Sequence, residues 1–165
     1  MKKLLFLAAI AFVTTTACAQ NARKSPHDTV STKDISVTYG RPYKKGRVIF
    51  GELEKYGKVW RTGADEATQI TFKKDVIFGG KPVKAGTYTL FTIPNEKEWS
   101  VILNGQLGQW GAYDYDKNKA KDVLQITVPA KKLDKVIEQH TIRFDSKQDL
   151  IIEWDQSQIT VPVKA

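Results

Sequence analysis

Period-two alternation of apolar residues, turn signals at short intervals and the lack of any long amphipathic helix predict an all-β fold. The architecture expected is an antiparallel sandwich or barrel of about eight or nine strands with short helical turns. The alternation begins after Asp34. Ile35, Val37 and Tyr39 are separated by Ser36 and Thr38, and Thr68, Ile70 and Phe72 by Gln69 and Thr71. Each set places its apolar members on one face of a strand. Val76-Ile77-Phe78 runs into Gly79-Gly80, a pair that reaches positive φ at little cost and so marks a hairpin. Pro82 to Gly86 predicts a turn before a strand from Thr87 to Ile93, and Pro94-Asn95-Glu96-Lys97 returns the chain into Trp99 to Leu103. The later strands expected are Val123 to Val128, Ile137 to Phe144, Leu150 to Trp154 and Ile159 to Val163. Only Phe50 to Tyr56 and Asn118 to Asp122 suit a short helix, and neither carries an apolar stripe. No repeat or linker divides the region, so residues 34–165 are expected to form a single β-rich domain.

The N-terminus follows a different plan. Lys2 and Lys3 precede an unbroken apolar run from Leu4 to Val13, and small residues follow from Thr14 to Ala19. Residues 1–19 therefore read as a secretion signal, the apolar run being too short to span a bilayer. Two endings are open. Ala17-Cys18-Ala19 fits ordinary cleavage before Gln20, whereas Thr15-Thr16-Ala17-Cys18 is a loose lipobox that would make Cys18 a lipidated first residue. Cys18 is the only cysteine, so no disulfide is expected. Residues 20–33, polar and containing Pro26, read as an extended lead-in or tether. The expected destination is the periplasm or the outer membrane, with membrane contact only through a lipid anchor at Cys18.

The chain has 26 basic and 18 acidic side chains, a net charge of +8, which becomes +6 without Lys2 and Lys3. In an envelope protein this balance points to acidic lipids or glycans rather than to nucleic acid. His27 and His140 stand at no metal-ligand interval, and no Gly-x-Ser-x-Gly elbow presents a serine. Asp114-x-Asp116-x-Asn118 opens like a calcium loop, but Lys119 and Gln125 stand where glycine and glutamate are needed, so an Asx turn explains it better. No metal or other cofactor is expected.

Two stretches hold the unusual chemistry. One runs from Tyr39 to Thr68 and contains the basic candidates Arg41, Lys45 and Arg47, then Trp60, Arg61 and Glu66. Asp65 and Glu66 are adjacent, and in extended chain they would face opposite ways, too poorly opposed for glycoside chemistry by themselves. A clamp between Arg61 and one of these carboxylates is the economical reading. The other stretch, Gln106 to Tyr115, sets Trp110, Tyr113 and Tyr115 among glycines. Its aromatics either stack on a ligand, for which Trp110 and Tyr115 are the candidates, or turn inward and cap the sandwich.

These stretches also carry a family likeness. Gly40-Arg41-Pro42, Lys45-Gly46-Arg47-x-Ile49-Phe50-Gly51 and Tyr56-Gly57-x-Val59-Trp60-Arg61-Thr62-Gly63-Ala64-x-Glu66-Ala67-Thr68 form its first half. Ala85-Gly86-Thr87-Tyr88-x-Leu90-Phe91-Thr92-Ile93-Pro94, Trp99-x-Val101-Ile102, Gln109-Trp110-Gly111 and Tyr115-Asp116 complete it. Together they resemble the domain of unknown function 2911 family, exported proteins of Bacteroidetes-type bacteria, from about Ser25 to Val163. The resemblance implies export and one domain, and it implies no activity or catalytic residue. It also implies that Asn serves where this chain has Asp65, which argues against an acid–base role there.

The function expected is non-catalytic binding of a small molecule, a glycan or an envelope protein through the loops around Arg41–Arg47 and Trp60–Glu66. The alternatives are a structural or assembly role, or a hydrolase that pairs Glu66 with Asp114 or Asp116.

Overall fold

The structure, a computed structural model, describes residues 22–164. The expected signal, Cys18 and both cleavage positions lie outside the described residues. The fold is all-β and antiparallel, as the alternation predicts. The strands are β1 (His27–Ser31), β2 (Ile35–Gly40), β3 (Gln69–Phe72), β4 (Val76–Phe78), β5 (Lys81–Val83), β6 (Gly86–Ile93) and β7 (Glu98–Asn104). A short helix α1 (Tyr115–Asn118) and a 3₁₀ turn (Lys119–Lys121) precede β8 (Asp122–Phe144), β9 (Leu150–Val161) and β10 (Val163–Lys164). A seven-stranded sheet runs β1-β2-β3-β6-β7-β8-β9, and a small sheet runs β10-β4-β5.

The large sheet curls on itself. Tyr39 of β2 donates its hydroxyl to Ile142 O of β8 at 3.1 Å and accepts from Ile142 N at 2.9 Å, although three strands separate β2 from β8 in the ladder. The alternating residues face the space so enclosed: Ile35, Val37, Tyr39, Ile70, Phe72, Leu90, Val101, Ile142, Ile152 and Trp154 are buried together. A second cluster on the outer face of β6 and β7 joins Phe91 and Ile102 to Ala67 and Tyr115.

Several elements depart from the sequence reading; among them, the strands expected at Leu150–Trp154 and Ile159–Val163 are joined in β9, which runs unbroken to Val161. Part of the expected lead-in is sheet: His27–Ser31 pairs antiparallel with β2, from His27 opposite Gly40 to Ser31 opposite Ser36. An edge strand with polar residues outside carries little alternation to announce it. The two strands expected between Val123 and Phe144 are one long strand whose pairing with β9 slips near Lys132–Ile137 and Ile137–Thr141. Its lysine-rich middle is wet on both faces, so period two is absent there. Phe50 to Tyr56 forms turns rather than a helix, and the helical turn after Tyr115 begins earlier than expected.

Candidate functional site

Trp60 to Thr68 is an irregular segment stitched between the sheet and two loops. Trp60 exchanges backbone hydrogen bonds with Thr92 (2.7 and 3.0 Å), and Leu90 N donates to Thr68 O (2.8 Å). Ala67 N donates to Gln109 O and Gly111 N to Asp65 O, both at 2.9 Å. A Cβ at Gly40 would lie 2.2 Å from Ala64 O, so the end of β2 and this segment run backbone against backbone, which only glycine permits.

Within the segment Thr62 and Asp65 adopt φ of 56° and 62°. Left-handed backbone is tolerable for Asp but strained for a β-branched residue. Thr62 is held by its surroundings: its carbonyl accepts from His140 Nε2 (2.9 Å) and Thr68 Oγ1 (2.8 Å), and its hydroxyl meets Thr92 Oγ1 at 3.0 Å. The neighbouring Arg61 is thereby presented from a fixed base.

Most of the candidate residues are used by the fold. Arg41 spends its whole guanidinium: Nη1 reaches Asp28 Oδ2 (3.1 Å), Nη2 donates to Thr141 Oγ1 (3.2 Å) and Nε to His140 O (3.3 Å). Arg47 folds onto its own turn, donating to the carbonyls of Lys44 and Tyr43. Trp60, 2% exposed, stacks on Trp154 with centroids 6.0 Å apart and donates its indole N–H to Gly63 O. Tyr115 turns inward onto Phe91 and donates to Asp122 Oδ2 at 2.7 Å; burial pushes its hydroxyl pKa well up. Both rings belong to the packed interior, as hydrophobic burial of an aromatic with a satisfied polar tip dictates. Lys45 fixes its backbone N–H on Glu138 Oε1 (2.8 Å), while its ammonium has no partner among the described residues.

The adjacent acids hold the N-terminal segment. Asp65 accepts from Lys24 N and Ser25 N at 3.0–3.1 Å, and Glu66 meets Arg23 Nε at 2.8 and 3.0 Å and stands 3.0 Å from His27 Nε2. The two carboxylates were expected to face apart. They serve one segment because Asp65 is left-handed rather than extended. Burial pushes the Glu66 carboxyl up, but a backbone N–H and Arg23 outweigh it and hold the group below its ordinary range.

Arg61 is the exception, and the clamp expected for it does not form. Among the described residues its buried Nε has no hydrogen-bond partner, and no carboxylate oxygen comes within 4.0 Å of its guanidinium. It faces a cleft of about 470 Å³ whose wall also holds Lys24, Lys45, Arg47, Glu54 and Asp65, with Tyr43, Leu53 and Trp154 among the apolar lining. Glu54 likewise has no side-chain hydrogen bond or ion pair among the described residues. Desolvation pushes its carboxyl up to about 7, against the pull of Arg61 and Arg47. A cation and an acid thus share one wall without meeting.

Glu54 escaped the sequence reading because nothing separates it from Glu52, which is exposed two residues away. Its burial follows from backbone bonds to Ile49 O and Gly51 N, contacts between residues in a turn that no periodicity announces. Lys24 was hidden in the supposed lead-in. Trp110 lies on the other side of Arg61, paired by its backbone with Glu66.

A family model described as Protein of unknown function (DUF2911) matches residues 21–163. The chain belongs to this family. No curated protein and no solved structure matches it. In this DUF2911 chain the segments that carry the likeness meet in space. Gly40-Arg41-Pro42 lies against Ala64 and the N-terminal strand, Trp60–Thr68 crosses β6, and Gln109-Trp110-Gly111 pairs with Asp65–Ala67. Behind them sits His140, wholly enclosed by Tyr39, Trp60 and Trp154. Desolvation drives its pKa down to about 4, so the ring is neutral, with Nε2–H on Thr62 O. Among the described residues no three His, Cys, Asp or Glu gather as metal ligands, and no helix is long and apolar enough to cross a membrane.

Proposed function

We propose that this domain is an exported, non-catalytic binding module of the cell envelope, taking a small anionic ligand in the cleft at Arg61. One observation carries the reading: Arg61 and Glu54 line the same cleft, both half-buried, and among the described residues neither is paired. An unpaired charge in such a place costs stability, and folds keep such groups where a ligand supplies the missing partner. The strained left-handed backbone at Thr62, next to Arg61, supports the same reading. Arg61 offers a planar fork suited to a carboxylate or phosphate, and Lys24 and Lys45 add positive charge at the wall.

A hydrolase built on Glu66 fits less well. Arg23 and His27 favour its charged form, whereas a general acid needs a raised pKa. A structural role draws support from Arg41, Asp65 and Glu66, all consumed by the N-terminal segment, but leaves Arg61 and Glu54 without a task.

Thermal unfolding of the purified protein against a panel of small carboxylates, phosphates and sulfates tests the proposal. At least one anion should raise the midpoint in the wild type and fail to do so in Arg61→Met, because only a ligand that prefers the native state stabilises it. An equal shift in both proteins, or none with any anion, overturns it. Intact mass of the protein from bacterial membranes and periplasm decides between a free Gln20 and a lipidated Cys18 as the first residue.

A further inference from the structure

Arg61 also lines a second hollow of about 210 Å³, together with Lys24, Asp65, Trp110, Gly111 and Tyr113. Three of its residues, Lys24, Arg61 and Asp65, line the larger cleft as well, so the two hollows adjoin. Tyr113 is 79% exposed, the extreme among the large hydrophobic side chains of the described residues. One edge of its ring comes close to Gly111. Gly111, at φ 65°, has no Cβ, and one built there would come within 2.7 Å of Tyr113 Cε2. The ring lies over that glycine with its other face open. Beside it Trp110 is half-buried, its backbone paired with Glu66.

An aromatic face laid open at a hollow has a cost in water, which a ligand with an apolar face of its own recovers. The remaining lining sets the ligand's other properties. Arg61 suits a planar carboxylate, and the Glu54 carboxyl in the larger cleft offers an acceptor for hydroxyl groups. The C–H face of a pyranose, its hydroxyls and a carboxylate supply all three. Two hollows that share Lys24, Arg61 and Asp65 suit more than one ring.

On the reading that Arg61 binds an anion, we infer that the ligand is a short acidic oligosaccharide, one sugar resting on Tyr113 and a carboxylate seated on Arg61. Tyr113 is then the residue that separates a sugar acid from a simple anion.

Calorimetric titration of the purified protein with digalacturonate, galactobiose and acetate tests this, using wild type, Tyr113→Ala, Tyr113→Phe and Arg61→Met, each checked for an unchanged unfolding transition. Digalacturonate should bind the wild type more tightly than either other probe. Tyr113→Ala should weaken it about five- to tenfold, the worth of one aromatic contact, and Tyr113→Phe should restore it. Acetate binding should not change with Tyr113. If Arg61→Met abolishes binding of digalacturonate and acetate alike but Tyr113→Ala changes neither, the sugar assignment is overturned and the anion site stands. If none of the probes binds the wild type, the sugar assignment fails, and the anion panel above decides separately on the site itself.

Discussion

Arg41 and Arg61 lie at opposite ends of the same irregular region and have opposite fates. Arg41 gives every face of its guanidinium to the fold, joining β1 to β8 through Asp28, Thr141 and the His140 carbonyl. Arg61 gives its side chain to nothing among the described residues, and Glu54, which lines the same cleft, is equally idle there. Around Arg41 the charges are a latch that pulls the N-terminal segment onto the sheet. Around Arg61 they are a cost the fold carries. Sequence chemistry is the same at both places, and only the company each side chain keeps separates scaffolding from a candidate site.

The comparison can be broken or sharpened by measurement, and the largest effects are pH-dependent. Glu54 is raised from an ordinary 4.5 to about 7, so between those values the folded state holds a proton that the unfolded state has lost. That cost is absent below pH 4.5, grows as pH rises and is complete above 7. Glu54→Gln should therefore stabilise the protein at pH 8 by up to about 3 kcal/mol and leave it unchanged at pH 4, read by urea unfolding. His140 on the engaged side has the opposite sign. Its pKa falls from 6.5 to about 4, so its contribution is complete above 6.5 and lost as pH drops to 4, again about 3 kcal/mol. In His140→Gln the acid-side slope should flatten. If both variants keep the wild-type pH profile, buried electrostatics do not distinguish the two regions.

The latch gives the next effect. Asp65→Ala removes the acceptor for two backbone N–H groups and places Ala at φ 62°, and should cost about 2–3 kcal/mol. Asp65→Asn keeps an acceptor and a residue at ease in left-handed backbone, and should cost less than about 1 kcal/mol. Amide exchange at Lys24 and Ser25 reports the same loss locally. The smallest effect draws the sharpest contrast. Arg41→Met should cost about 1–2 kcal/mol, while Arg61→Met should cost nothing and stabilise by up to about 1 kcal/mol. Equal losses at the two arginines would remove the basis for treating Arg61 as a ligand group.

Much of the fold was legible in the chain. Ile35, Val37 and Tyr39, or Ile70 and Phe72, alternate because one face of each strand is buried and the other is not, and that asymmetry is written residue by residue. β1 and the middle of β8 were not legible for the converse reason: a strand wet on both sides, or an edge pinned by carboxylates from residue 65 and 66, has no alternation to read. Of the aromatics, Trp60 and Tyr115 went to the interior and Tyr113 stayed out. The decision rests on Gly111 and on whether Phe91 offers a surface, facts of position rather than of residue type.

The candidate site was legible in its ingredients and not in its assignments. The sequence by itself determined an all-β chain, the family, and a concentration of charge and aromatic residues between Tyr39 and Thr68 and between Gln106 and Tyr115. Tertiary structure alone decided that Arg41, Arg47 and Glu66 are occupied, that Glu54 joins Arg61, and that Trp60 is core. Alternation and turn chemistry are local, set by neighbours within a few residues. Whether a charge finds a partner depends on segments brought together from far along the chain, and no local pattern records that.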